Sequence, residues 1–162
     1  MTNLVSNTGV VANNTTGVGQ IRSSLAAVGY GSDKAIFGYG DAGSVVSMTN
    51  LVSNTGVVAT DTTGVGTARS TLAAAGYGTD KAIFGYGITS VNVSMTNLVS
   101  NTGVVATDTT GVGTARQNLA AARYGGDKAI FGYGYTSVVV SMTNLVSNTG
   151  TVAIDTTGVG TA

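Results

Sequence analysis

The stretch MTNLVSNTGVVATDTTGVGTARSTLAAAGYGTDKAIFGYGITSVNVS, residues 48–94, decides the fold because it recurs along the chain. Residues 95–141 repeat it with six changes in 47 positions. Its opening, MTNLVSNTG, also stands at residues 1 and 142, so four copies begin 47 residues apart. Periods of about 20–50 residues are typical of solenoids, propellers and arrays, in which one unit cannot bury its own apolar face. The 162-residue chain is therefore a tandem repeat.

Each period is predicted to hold four short β-strands, which in the central period are residues 69–77, 81–87, 91–99 and 104–108. Val, Ile, Thr, Phe and Tyr favour strands, while the Gly-Thr-Asp and Asn-Thr-Gly segments between them favour tight turns. Four antiparallel strands in about 47 residues match the size of a propeller blade. The sequence thus predicts an all-β repeat protein of four-stranded antiparallel blades; a β-solenoid of stacked coils is the alternative architecture.

The period resembles a kelch repeat. Residues 66–87, GTARSTLAAAGYGTDKAIFGYG, are similar to the first half of a kelch blade, with Arg69 opening a small-residue inner strand and Gly85-Tyr86-Gly87 at the glycine element. Residues 94–108, SMTNLVSNTGVVATD, are similar to its outer hairpin. The resemblance implies a β-propeller whose inner strands line a central channel. Kelch-like arrays of this kind occur in phage and environmental sequences, where the product is often structural or adhesive.

In kelch phase the chain divides into an outer half blade, residues 1–19, and three blades, residues 20–66, 67–113 and 114–162. Propellers close with about four to eight blades, so three and a half blades leave apolar faces and strand edges open. We therefore expect completion by other copies of the chain or by a longer array. Self-association would use blade faces and edge strands, including a docking of residues 1–19 on a neighbouring copy.

Composition excludes several classes of function. Seven Lys and Arg balance seven Asp, and charged residues make up 9% of the chain, so a nucleic-acid partner is not expected. Cys, His and Glu are absent, which argues against disulfides, Cys/His metal sites, other cofactors and an enzymatic role. No apolar run is long enough for a membrane span, and no signal peptide is visible. The compartment is not assigned, although the kelch resemblance favours an extracellular or virion-associated location.

Charged and aromatic residues recur once per blade. The predicted structural ring consists of Arg22, Arg69 and Arg116, whose guanidiniums would bind carbonyls or an Asp of the neighbouring blade; an anion-binding ring is the alternative. The Asp in each Asp-Thr-Thr-Gly segment is predicted to cap a turn or strand end. The Asp-Lys pairs, such as Asp33-Lys34, are not expected to form ion pairs within a strand, because adjacent residues point to opposite faces. The recurring tyrosines are interpreted as packing residues, with sugar stacking as the alternative.

The differences between blades cluster at the start of the inner strand and between the second and third strands. These two connections lie at the same end of an antiparallel blade, where loops on a rigid scaffold often carry recognition. Free drift of surface loops would produce the same variation. The candidate binding face comprises Gln20, Asp41, Ser70, Ile88, Asn92, Gln117, Asn118 and Tyr135.

The leading functional hypothesis is a non-enzymatic structural protein that assembles with copies of itself. The alternative is a module that recognises a glycan or a cell-surface protein through the candidate binding face.

Overall fold

A computed structural model describes residues 1–161, which contain nine strands and no helix. The strands form three antiparallel sheets, each with its strands in chain order. The first sheet has β1 (Ala26–Tyr30), β2 (Lys34–Gly38) and β3 (Thr49–Val52). The second has β4 (Ala73–Tyr77), β5 (Lys81–Gly85) and β6 (Thr96–Val99), and the third has β7 (Ala120–Tyr124), β8 (Lys128–Gly132) and β9 (Thr143–Val146). The all-β fold and its tandem units are confirmed.

The sheets lie within residues 20–66, 67–113 and 114–160, which we call repeats 1, 2 and 3. Ala162, the last residue of the predicted third blade, lies outside the described residues. Residues 1–19, the half-repeat, form two isolated antiparallel bridges, Thr2–Thr15 and Val5–Val11, as the outer part of each complete repeat also does. The described residues contain no helix long and apolar enough to cross a membrane.

The prediction of four strands per blade is wrong, because each sheet has three. The expected fourth strand, residues 104–108, meets β6 through one isolated bridge, Val99–Val105, and Thr109 just after it forms a second, with Thr96. Between them the Asn97 side chain donates a hydrogen bond to the Ala106 carbonyl at 3.0 Å. A side chain thus binds an acceptor that a regular strand ladder would use, and the ladder does not continue.

The first two strands of each repeat are shorter than predicted because the backbone is left-handed just before the first strand and just after the second. Thr71, within the expected inner strand, has a φ of 51°, and β4 begins two residues later. Tyr86 has a φ of 63° and follows directly after β5. A strand requires negative φ, so neither residue can extend the ladder.

The hydrophobic core lies between successive sheets rather than within one. Strand β4 packs between β1 and β7, and its Ala73 and Ala75 are buried. Backbone hydrogen bonds also join the repeats, from Gly40 N to Arg69 O at 3.0 Å and from Gly31 N to Asp80 O at 2.7 Å. Small side chains on the inner strand allow this close approach.

The series of sheets is open. Residues 1–161 form no closed propeller, and the inner strands pack against each other instead of around a closed channel. The exposed side chains at the two ends include Ile21, which is 93% exposed, and Tyr133, which is 50% exposed. Arg22, Arg69 and Arg116 lie one in each repeat of this open series.

Candidate functional site: the junctions between repeats

A cluster of three side chains joins each pair of successive repeats. At the first junction the Arg69 guanidinium lies over the ring of Tyr39 from the preceding repeat, 4.3 Å from its centroid. Phe84 meets the same tyrosine ring edge to face, with centroids 5.2 Å apart. Tyr86, Arg116 and Phe131 repeat this arrangement at the second junction, with the same two distances. We call each set a junction cluster.

Arg69 is held by hydrogen bonds from all three guanidinium nitrogens. Its Nε donates to the Tyr86 carbonyl at 2.8 Å, Nη1 to the Thr67 carbonyl at 3.1 Å and Nη2 to Asn97 Oδ1 at 2.7 Å. The side chain is fully buried. Burial lowers the pKa of Arg69, and the charge of Asp108 opposes that effect. A buried guanidinium needs this set of acceptors because an unpaired charge in the interior is costly.

Asp108 links the end of repeat 2 to the beginning of the same repeat. Its carboxylate accepts hydrogen bonds from Thr67 N at 2.9 Å and Thr67 Oγ1 at 2.6 Å, and from Asn97 Nδ2 at 2.9 Å. Arg69 Nη1 is 3.9 Å from Asp108 Oδ1, within the same repeat rather than from a neighbouring blade as the sequence predicted. Asp155 makes the equivalent contacts in repeat 3. These carboxylates link the outer segment of a repeat, residues 95–113 in repeat 2, to the residues just before its inner hairpin, which is β4 and β5 in repeat 2.

Tyr39 and Tyr86 are buried in a left-handed backbone conformation, which is strained for a bulky residue. The Tyr86 hydroxyl donates to the Val112 carbonyl at 3.1 Å, and the Tyr39 hydroxyl to the Val65 carbonyl at the same distance. Burial raises the pKa of both tyrosines to about 12, so both hydroxyls stay protonated donors at neutral pH. Tyr133 adopts the same conformation with its ring half exposed, so contacts across the junction do not set it.

A glycine before each tyrosine makes room for the next repeat. A Cβ on Gly85 would lie 2.7 Å from Phe131 Cζ, and one on Gly38 would lie 2.7 Å from Phe84 Cζ. Any larger residue would therefore push the phenylalanine ring out of the junction. Gly132, at the same place in repeat 3, has no following repeat within the described chain, and the nearest atom to its Cβ would be the Thr143 methyl at 3.3 Å.

Each end of the chain carries half of a junction cluster. At the C-terminal end Tyr133 is 50% exposed, whereas the equivalent Tyr39 and Tyr86 are fully buried. At the N-terminal end Arg22 has no tyrosine from a preceding repeat, and its buried Nε finds no hydrogen-bond partner within residues 1–161. Arg22 and Phe37 line a groove of about 840 Å³, which we call the N-terminal groove.

The candidate binding face contains residues that pair with one another. Isolated bridges join Ser70 to Ile88 and Ile88 to Asn92, so the two variable connections lie side by side at one end of the sheet. Asn92 Nδ2 donates to the Thr136 carbonyl of the next repeat at 2.8 Å.

Repeats 1 and 3 have equivalent pairings at this end. Asp41 bridges Ser23, and Gln117 bridges Tyr135. Asn118, with a φ of 54°, donates from its backbone N to Thr71 O at 3.0 Å, and Gln20 N donates to Asp61. Several residues of this face therefore join repeats or strands, while Tyr135 remains 41% exposed.

The expectation that the Asp-Lys pairs would not form ion pairs is wrong. Lys34 Nζ is 3.1 Å from Asp33 Oδ1, and Lys128 Nζ is 3.1 Å from Asp127 Oδ1. Asp33 lies in the turn before β2, so the alternation of side chains along a strand does not separate it from Lys34. Both partners are largely exposed, and such pairs contribute little stability.

The recurring tyrosines were interpreted as packing residues, and Tyr39 and Tyr86 are buried, but Asn97 was not selected from the sequence. Phe84, Gly85 and Asn97 each recur at 47-residue spacing, as Arg69 does, and that recurrence was the available signal. Charged residues and variable loops were selected as candidate positions, whereas the junctions combine the recurring arginines with recurring aromatic residues and glycines.

Acid should weaken the fold by protonating the carboxylates of Asp61, Asp108 and Asp155. Burial raises the pKa of Asp108 and of Asp155, but hydrogen bonds from Thr67 and Thr114 and the nearby arginines hold both below the ordinary value. At Asp61 the hydrogen bond from Asn50 is the largest cause of a lowered pKa. A depressed pKa contributes stability that is present above the unfolded value, about 3.9, and is lost as pH falls through the folded value.

We therefore expect the free energy of unfolding, measured with guanidinium chloride, to fall as pH is lowered below about 4. A variant with Asn at positions 61, 108 and 155 should be less stable at pH 7 and should lose less stability on acidification. An unchanged pH dependence in that variant would contradict the assignment.

No family model matches this chain, and no curated protein matches it. Across the described residues, no group of three or more acidic side chains is gathered closely enough to hold a metal ion. The junction cluster is complete at the two internal junctions, and half of it is present at each end of the described chain.

Proposed function

We propose that this protein is a non-enzymatic structural protein of kelch-like repeats, and that its copies associate head to tail. The single observation that carries the proposal is the divided junction cluster. Tyr133 and Gly132 at the C-terminal end correspond to the tyrosine and glycine of a junction. The N-terminal groove carries the corresponding arginine and phenylalanine, Arg22 and Phe37, but no tyrosine. A contact between unlike ends of identical chains is heterologous and produces either a ring or an open polymer.

The internal junctions supply the geometry for this contact. At both of them a tyrosine lies 4.3 Å from an arginine guanidinium and packs against a phenylalanine, with a glycine opposite the ring. A cation over an aromatic face contributes about 0.5–2 kcal/mol, and an aromatic pair about 0.5–1.5 kcal/mol. An end-to-end contact would gain the same interactions and would cover the exposed ring of Tyr133.

The acidic side chains also support a structural role over catalysis. Asp61, Asp108 and Asp155 lie one per repeat, and each is bound to the beginning of its own repeat. Acid–base chemistry of the paired-carboxylate type requires two carboxyl groups in one site. The kelch-like propeller remains part of the proposal, since blades from several copies could complete a ring.

The alternative of a glycan- or surface-binding module has weaker support. Asn92 and Asn118 of the candidate binding face are engaged in contacts between repeats. We therefore place the structural role first.

Gly132→Ala is expected to weaken self-association about tenfold or more, because the added Cβ would meet Phe37 of the next copy as a Cβ on Gly85 meets Phe131. The free energy of unfolding of the single chain should change by less than about 1 kcal/mol. Sedimentation equilibrium over a concentration series measures the first quantity, and denaturant unfolding of the dilute protein measures the second.

Gly85→Ala is the matched control, since its clash lies inside the chain. It should destabilise the single chain by about 1–3 kcal/mol whatever the assembly state. A wild-type protein that stays at 15.9 kDa at every concentration would reject the proposed function. So would self-association that Gly132→Ala leaves unchanged.

A further inference from the structure

Resting on the proposed function, we infer that residues 1–19 occupy a place that residues 142–160 of the preceding copy take over when two copies join. The half-repeat would then be a displaceable cover on the N-terminal face. Association would exchange one outer segment for another of nearly the same sequence.

The half-repeat already sits where an outer segment sits at each internal junction. Leu4 Cδ2 lies 2.5 Å from the position of a Cβ on Gly56. Leu51 and Leu98 take the equivalent place at Gly103 and Gly150, each 2.9 Å from the Cβ position. Leu4, Leu51, Leu98 and Leu145 are the same residue of the 47-residue period.

A docking copy would bring a second leucine to an occupied place. If repeat 3 of one copy took the position before repeat 1 of the next, Leu145 would arrive at Gly56, where Leu4 already lies. Two leucine side chains cannot fill one site in a close-packed junction. Joining therefore requires one of the two outer segments to leave.

The junction at Gly56 also lacks a tyrosine that the other two have. Tyr30 lies 2.9 Å from the Cβ position of Gly103, and Tyr77 lies 3.0 Å from that of Gly150. The next tyrosine of the series is Tyr124, which is 40% exposed. The half-repeat supplies the leucine of this contact but no inner hairpin, so a docking repeat 3 would supply the missing tyrosine.

The half-repeat is the more weakly held of the two outer segments. Asp155 links residues 142–160 to the start of their own repeat through Thr114 N at 2.9 Å, Thr114 Oγ1 at 2.6 Å and Arg116 Nη1 at 3.7 Å. The equivalent residue of the half-repeat is Asn14, which accepts a hydrogen bond from Asn3 within the same segment. Because Asn14 makes no such contact in the described chain, residues 1–19 should be the segment that leaves.

The rest of the N-terminal face fits the incoming repeat. By equivalence with Tyr86 and Val112, the Tyr133 hydroxyl would donate to the Val159 carbonyl of its own repeat, which moves into the contact with it. Its ring would cover the Arg22 guanidinium, whose Nε has no partner in the described part of the chain. The Gly134 N–H would reach the Arg22 carbonyl, as Gly87 N reaches Arg116 O at 3.0 Å.

Leu4→Ser and Leu145→Ser in the full-length chain test the exchange as a matched pair, since both leucines are 42% exposed. Leu4→Ser should loosen the cover and lower the dissociation constant of self-association about tenfold. Leu145→Ser should raise it about tenfold, because that leucine makes the new contact. Sedimentation equilibrium measures both constants, and circular dichroism checks that both variants fold.

Every other result overturns the inference in an identifiable way. If the two effects are reversed, residues 142–160 are the segment that leaves. If the two variants weaken association equally, or change nothing while the wild type still associates, there is no exchange but the proposed function survives. If the wild type and both variants remain single chains at all concentrations, the proposed function itself fails.

Discussion

Tyr86→Ala is expected to lower the free energy of unfolding by about 3–5 kcal/mol, the range for removing a large aromatic side chain from a packed core. The side chain is fully buried between repeats 2 and 3, under the Arg116 guanidinium and against the Phe131 ring. Alanine would remove both aromatic contacts and the hydroxyl that donates to Val112 O. The left-handed φ of 63° is unfavourable for either residue, so backbone strain should change little.

Tyr133→Ala is the control, because the residue has the same Gly-Tyr-Gly context and a φ of 62°. Its ring is half exposed, so the dilute single chain should lose less than about 1 kcal/mol. Guanidinium chloride unfolding at low protein concentration measures both variants. Equal losses would show that local conformation, rather than the junction, sets the stability at this position.

Arg69→Met should also cost about 3–5 kcal/mol, because it removes one donor group from three acceptors at once. Methionine keeps much of the packing of the arginine stem but leaves the Thr67 carbonyl, the Tyr86 carbonyl and Asn97 Oδ1 without their donors. The ring of Tyr39 also loses the cation above it. Thermal and denaturant unfolding of the variant measure the loss.

Arg22→Met provides the comparison from the open end. Arg22 bonds Asn50 and lies 3.5 Å from Asp61, but it has no tyrosine from a preceding repeat and its Nε is unpaired in the described structure. The expected loss in the single chain is therefore smaller, roughly 1–2 kcal/mol. A loss as large as that of Arg69→Met would contradict the view that the tyrosine stack and the Nε bond stabilise the filled junctions.

Several local features were predictable because they depend on residues near one another in sequence. The hairpin between β4 and β5 turns at Gly78, Thr79 and Asp80, where the sequence placed it. The third strand was predicted in the correct place but too long at its start, and the fourth is replaced by side-chain hydrogen bonds of Asn97. The inner strand begins later than predicted because Thr71 adopts a left-handed conformation. A glycine would have signalled such a conformation in the sequence, but a threonine does not.

The functional site was predicted only in part. Arg69 was selected because it recurs, and it is buried, but its aromatic partner comes from the preceding repeat and its Asp partner from its own. An Asp from the neighbouring blade had been predicted instead. Side-chain partners across a junction depend on the relative placement of two sheets, which a periodic sequence does not specify.

By itself, the sequence determined the period, the β-class and the positions of the turns, because strand and turn preferences are properties of short segments. Tertiary structure alone decided which copy of a repeated residue is buried. Tyr86 and Tyr133 share one local sequence and one backbone conformation, yet one is covered and the other is half exposed. The difference arises because burial requires a following sheet to pack against the ring, and repeat 3 has none within its own described chain.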